Sequence, residues 1–183
     1  NAELNFAIAI DETGIWNHYF NMEFEDIKVK ENEVIVPPTG TLPIPGLGNI
    51  ALGMTKEQVK QVEPSLLIHE DSTSLMYSNK WIFDFSASVS YQFENNKLIS
   101  ITIFHDVLDK YNDLELLEAY FYVMYDNLSK LYGSPVSLDT NWFDDYDGYS
   151  LSALWFTASE DIFLAAKINM DYTSFGGILI SSK

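Results

Sequence analysis

The 183-residue chain contains no cysteine and no arginine, and only three histidines. Without cysteine there are no disulfides, zinc–thiolate sites or thiol nucleophiles, although the compartment stays open because many extracytoplasmic proteins also lack it. Without arginine no guanidinium can grip a phosphate or carboxylate through two parallel hydrogen bonds. Positive charge is scarce altogether: ten lysines face 27 acidic residues, for a formal net charge of −17. Such a field repels a nucleic-acid backbone and anionic lipid headgroups, and it attracts a basic protein or a cation. No run of about 18 apolar residues is present, so insertion into a membrane is not expected. There is also no Gly-x-Ser-x-Gly elbow, phosphate-binding glycine loop or metalloprotease helix, and nothing points to a named reaction or a cofactor.

What the chain does have is apolar mass, 47% hydrophobic and 15% aromatic residues, which is ample for a core. Its clearest element is a helix over Asn112 to Gly133. Leu114, Leu117, Phe121, Met124, Leu128 and Leu131 recur at intervals of three and four and form one stripe, with Glu115, Glu118, Asp126 and Ser129 on the other side. Asn112 and Glu115 can form a capping box, Gly133 supplies a left-handed stop, and Pro135 blocks continuation. Burying the stripe should stabilise the fold by roughly 1.5 to 3 kcal/mol per side chain, as an upper estimate. A sheet must lie beneath it.

Strand patterns supply that sheet. Before the helix, Leu66 to His69, Leu75 to Tyr77, Trp81 to Phe85, Val89 to Phe93 and Leu98 to Phe104 read as strands, with Asn95-Asn96 a tight turn. Trp81, Phe83 and Phe85 are expected on one face. Beyond the helix, Leu151 to Thr157, Ile162 to Ile168 and Gly177 to Ser181 read the same way. A shorter helix begins at Thr55, with Gln58 completing a capping box and Pro64 ending it. The alternation at Leu4 to Ile10 and Phe20 to Phe24, and the pair Ile27 to Lys30 with Val34 to Val36, predict an N-terminal β segment, 1–36. Such a segment is too small to be stable alone and is expected to pack on, or link to, the main domain. Pro37 to Gly48 has linker chemistry, so 37–49 is read as the boundary and 50–183 as the main domain. The expected class is α+β, with two helix-plus-antiparallel-strand units sharing a sheet.

The run Leu52-Gly53-Met54-Thr55-Lys56-Glu57-Gln58-Val59, followed by Pro64, Trp81 and the hairpin Tyr91 to Leu98, resembles the repeat unit of the beta-lactamase-inhibitor-protein-like superfamily, which small outer-membrane lipoproteins of the SmpA/OmlA type share. The likeness covers about residues 50–105. It departs from the pattern at Val62-Glu63-Pro64, where a glycine is usual, whereas Tyr132-Gly133-Ser134-Pro135 carries one, so a diverged second copy after 112 is expected. The resemblance implies helices on an antiparallel sheet, export from a bacterial cytoplasm, with or without a lipid anchor, and binding of other proteins without catalysis. The chain starts at Asn1 without methionine, and the expectation is a soluble fragment whose start was removed by export processing or by trimming.

Candidate function concentrates in Asn141 to Tyr149. Trp142, Phe143, Tyr146 and Tyr149 alternate with Asp144, Asp145 and Asp147, and large stiff rings beside charge are the composition of a binding anchor for a protein partner. A glycan stacking on the same rings is the alternative occupant; rings folded back as a lid on the core would be the non-functional one. Asp145, Asp147 and Gly148 echo a calcium loop, but Phe143 stands at its first ligand position and Leu154 at its final glutamate, so no metal is expected. A small hydrolase built on His69 and His105 with neighbouring Glu70, Asp71 and Asp106 would require those groups to converge. A second binding candidate is the uncharged sheet face of Ser86, Ser88, Ser90, Gln92, Ser100 and Thr102, which plain solvation would also explain.

Overall fold

The structure, a computed structural model, describes residues 4–10, 16–22, 42–105, 114–140, 149–168 and 174–183. Two compact units divide the chain, Asn1–Asn32 and Glu33–Lys183. In the first, β1 (Leu4–Ile10) and β2 (Trp16–Met22) form an antiparallel hairpin that is a two-stranded sheet of its own, with Phe6 opposite Phe20 and Ile10 opposite Trp16. The second strand therefore begins at Trp16, ahead of the alternation at Phe20. The strands expected at 27–30 and 34–36 lie outside the described residues.

The second unit runs α1 (Lys56–Val62), β3 (Leu66–Glu70), β4 (Ser74–Ile82), β5 (Phe85–Glu94), β6 (Lys97–His105), α2 (Leu114–Tyr132), β7 (Ser137–Asp139), β8 (Tyr149–Phe156), β9 (Glu160–Ile168) and β10 (Ser174–Ser182). Its eight strands form one antiparallel sheet in the order β3-β4-β5-β6-β10-β9-β8-β7. Each helix is followed in the chain by four strands, and the last strand of each set, β6 and β10, meet at the centre. This is an α+β arrangement of two helices and an antiparallel sheet.

One face of the sheet is apolar from β4 to β8. Across it the register brings Tyr91 to Ile101, Ile101 to Ile180, Ile180 to Ile162 and Ile162 to Trp155, all buried. Leu117, Tyr120, Phe121, Met124 and Leu128 of α2 and Val59 of α1 belong to the same core, so both helices lie on that face. Leu114 and Leu131, the two ends of the expected α2 stripe, are only half-buried, while Tyr120, outside the expected stripe, is buried. The start of α2 at Asn112 lies outside the described residues. Its end is as the sequence implies, with Gly133 at φ +80° donating its N–H to the Ser129 carbonyl. No described helix is long and apolar enough to cross a membrane.

Local chemistry explains most element ends. Thr55 caps α1: its hydroxyl accepts from the Gln58 N–H at 3.2 Å and the Gln58 side chain accepts from the Thr55 N–H at 2.8 Å. Asn95 and Asn96, at φ 50° and 60°, make the mirror-image turn that matches strand twist between β5 and β6. The expected strand Trp81 to Phe85 is a correction: β4 runs unbroken through Trp81, bulges between Tyr77 and Lys80 with Asn79 left-handed, and turns at Phe83-Asp84. Both turn residues have positive φ, a conformation a phenylalanine does not advertise in sequence. Phe83 is consequently buried, Trp81 exposed, and the two do not share a face.

The stretch read as a linker is, from Leu42 onward, a packed turn. Leu42, Ile44, Leu47 and Ile50 are buried in the main core, the Leu42 N–H donates to the Ile50 carbonyl, and the Phe83 N–H donates to the Pro45 carbonyl. Pro43, Pro45, Gly46 and Gly48 serve a tight chain reversal instead of a flexible spacer, and residues 37–41 lie outside the described residues. Gly46 sits at φ +94°, where a Cβ would stand 1.9 Å from the Trp81 carbonyl oxygen.

Candidate functional site

Trp142, Phe143, Asp144, Asp145, Tyr146 and Asp147 lie outside the described residues, as do Asn141 and Gly148. The backbone of Tyr149 opens β8 opposite Ile168. Leu154, at the place of a calcium loop's final ligand, is a buried residue of β8. Among the described residues no three carboxylates or histidines form a metal-binding group.

The histidines do not converge. His69 is on β3 and His105 on β6, with β4 and β5 between them, a lateral separation of roughly 14 Å at ordinary strand spacing. They also take opposite faces, because His69 pairs with Met76 on the helix-free side while His105 pairs with Ala87 on the core side. Each is occupied locally: His69 Nε2 stands 3.3 Å from Asp71, and buried His105 Nδ1 is 2.7 Å from the Tyr120 hydroxyl. An acid–base pair needs hydrogen-bond reach, so the geometric premise of the hydrolase alternative fails. Asp71 is instead a turn residue. Burial raises its carboxyl, but hydrogen bonds from the Ser74 hydroxyl, the Thr73 and Ser74 N–H groups and His69 outweigh that and hold it well below the usual carboxylate range.

The helix-free face carries the uncharged residues expected there and more. A single row runs Met76, Ser90, Thr102, Leu179, Phe163 and Leu154 across six strands. Its first half is hydroxyl-rich, as predicted. Its second half, Leu179, Phe163 and Leu154, is apolar, and the sequence reading did not place it. A neighbouring row places Ser88 opposite Phe104. The six-strand row holds no carboxylate or lysine, in a chain where one residue in five is charged, whereas other rows of the same face carry Asp139, Asp161 and Lys167.

The other constellation, missed from sequence, is buried between α1 and the sheet. Glu63, the C-terminal cap of α1, accepts from Lys80 Nζ at 2.6 Å and from the Tyr91 hydroxyl at 2.5 Å on one carboxylate oxygen, and from the Ser65 N–H at 3.1 Å on the other. Burial pushes the Glu63 carboxyl up, but the hydrogen bonds from Lys80 and Tyr91 and the lysine charge prevail and keep it low. Burial and then the Glu63 charge push the Tyr91 phenol up. The β4 bulge turns Lys80 to the core side, opposite Ala87, and no sequence period announces that reversal. With both Glu63 carboxylate oxygens accepting internal hydrogen bonds, the cluster is a lock between helix and sheet, not a place for a substrate.

No family model, no curated protein and no solved structure matches the chain.

Proposed function

We propose that this chain is a non-catalytic, extracytoplasmic bacterial binding protein that holds a protein partner on the helix-free sheet face and the Trp142 to Tyr149 loop. The observation that carries the reading is the central row of that face, which among the described residues crosses six strands without a carboxylate or lysine in a molecule of net charge −17. A face meant only for water would share the charge of the remaining surface. The absence of charged side chains at the centre of a patch is the compositional mark of an interface core. The export reading, and the reading of the two helix-and-four-strand halves as diverged copies of one motif, rest on the resemblance at 50–105 together with the mirrored strand order.

The test is capture of partners by chemical cross-linking with wild-type chain, Trp142→Ala and Tyr146→Ala. Loss of the same cross-linked protein in both variants supports the loop; an unchanged set in both sinks its assignment. Glycan-array binding that depends on Trp142 or Tyr146, with no protein cross-link, would replace the protein partner by a sugar.

A further inference from the structure

Two of the most exposed apolar side chains, Trp81 and Leu66, lie at one corner, where β3 and β4 border the helix-free face. Trp81 is 67% exposed and Leu66 59%. Register places both on that face, Trp81 opposite Ser86 and Leu66 opposite Ser78. The Trp81 backbone is fixed from the other side. Left-handed Asn79 and the Phe83-Asp84 turn bracket it, and Gly46 lies directly beneath its carbonyl. A large side chain held outward on a fixed backbone binds with little ordering cost, and tryptophan is enriched among the residues that dominate interfaces.

Lys56 and Lys60 of α1 are held by Glu70 of β3, and the exposed charge in the turn beside Trp81 is negative. Lys80, next to Trp81, is turned inward and neutralised by Glu63, while Asp84 stays exposed in the adjoining turn. The other lysine between Leu66 and His105 is Lys97, at the opposite end of the β5–β6 hairpin. The sheet edges are poor templates for strand addition, because β3 carries a bulge at Ile68 and β7 is three residues long. Contact is therefore face-on. A second copy of the chain would bring another −17 to the contact and is opposed by charge.

Resting on the protein-binding reading above, we propose that Trp81 is the anchor for a lysine- or arginine-rich protein surface, whose cationic side chains stack on the indole while Leu66 and Met76 fill the apolar contact. An indole face is the best aromatic acceptor for a cation, and the acidic chain supplies the long-range attraction.

The experiment pans a display library of a small folded scaffold with one randomised face on the full-length chain, then measures a purified enriched scaffold against wild type, Trp81→Ala and Tyr122→Ala. Tyr122 is an exposed aromatic on α2, away from this face. Enriched faces should be rich in lysine and arginine, and binding should weaken with salt. Trp81→Ala should lower affinity at least ~30-fold, as loss of a central anchor does, with Tyr122→Ala unchanged and thermal unfolding of both variants like wild type. Enrichment without basic residues, or equal binding by Trp81→Ala, overturns the anchor. If Trp142→Ala and Tyr146→Ala abolish binding while Trp81→Ala retains it, the protein-binding reading stands and this inference falls. If the chain enriches nothing, both fall. A Trp81-dependent dimer in sedimentation, or Trp81-dependent glycan binding in place of scaffold binding, also overturns it.

Discussion

The two halves of the eight-stranded sheet are covered on the same face by different means. Over β8, β9 and β10 the cover is α2, nineteen residues long, with five side chains fully in the core and Tyr125 tilted against Trp155. Over β4 and β5 the cover is α1, seven residues long with Val59 alone buried, supplemented by the 42–50 turn and by the Glu63–Lys80–Tyr91 cluster. A long amphipathic helix can hold a sheet by apolar area alone. A two-turn helix buries too little for that, and its position is fixed instead by a directional polar contact whose geometry admits one arrangement.

That contrast breaks most visibly on the apolar side. Phe121→Ala, at the centre of α2, should cost about 3–5 kcal/mol in urea unfolding, and a loss below about 1 kcal/mol would mean that α2 does not hold the sheet. On the polar side, Lys80→Met should cost about 3 kcal/mol, because it strands a buried carboxylate with one strong donor gone. The double variant Glu63→Leu/Lys80→Met should recover most of that loss. A double variant as unstable as the single one would show that the pair contributes net stability and not only placement.

The apolar half was legible in the sequence and the polar half was not. The α2 stripe repeats over five turns, so its period survives local exceptions such as Tyr120, whose hydroxyl reaches buried His105. The caps at Thr55 and Gly133 are local chemistry, readable within four residues. Lys80 and Glu63 lie 17 residues apart, and their meeting depends on a bulge at Asn79 and a turn through Phe83, neither of which has a residue-type signature. The same two features set Trp81 outward, away from Phe83, with which the sequence pattern places it on one face. The aromatic–acidic loop was conspicuous as composition, but composition does not place it in space.

Acid titration sharpens the comparison with a smaller effect. Glu63 and Asp71 both have folded-state carboxyls held below their ordinary values of 4.5 and 3.8. Each takes up its proton more readily in the unfolded chain. Their stabilisation is complete above those ordinary values and is lost as pH falls through the lower folded-state ones. Stability measured by urea midpoint should be flat with respect to these groups near neutrality and decline in acid. The decline should be shallower in Glu63→Leu/Lys80→Met, which removes one of the two carboxyls. An identical acid slope in wild type and double variant would separate Glu63 from the acid response.

The smallest effect tests how far the first half depends on α1 as a helix at all. Thr55 satisfies the Gln58 N–H and Gln58 satisfies the Thr55 N–H, two of the four free donors of the first turn. Thr55→Ala removes one of these bonds and should cost about 1 kcal/mol. If α1 is held chiefly by Glu63 at its other end, fraying at Thr55 will stay local. Amide exchange should then quicken at Lys56, Glu57 and Gln58 while Val59 and Glu63, whose N–H groups donate to the Thr55 and Val59 carbonyls, remain protected. Exchange that quickens through Glu63 and into β4 would show instead that the cap and the ion pair are one cooperative unit, and that the first half unfolds from the end of its shorter helix.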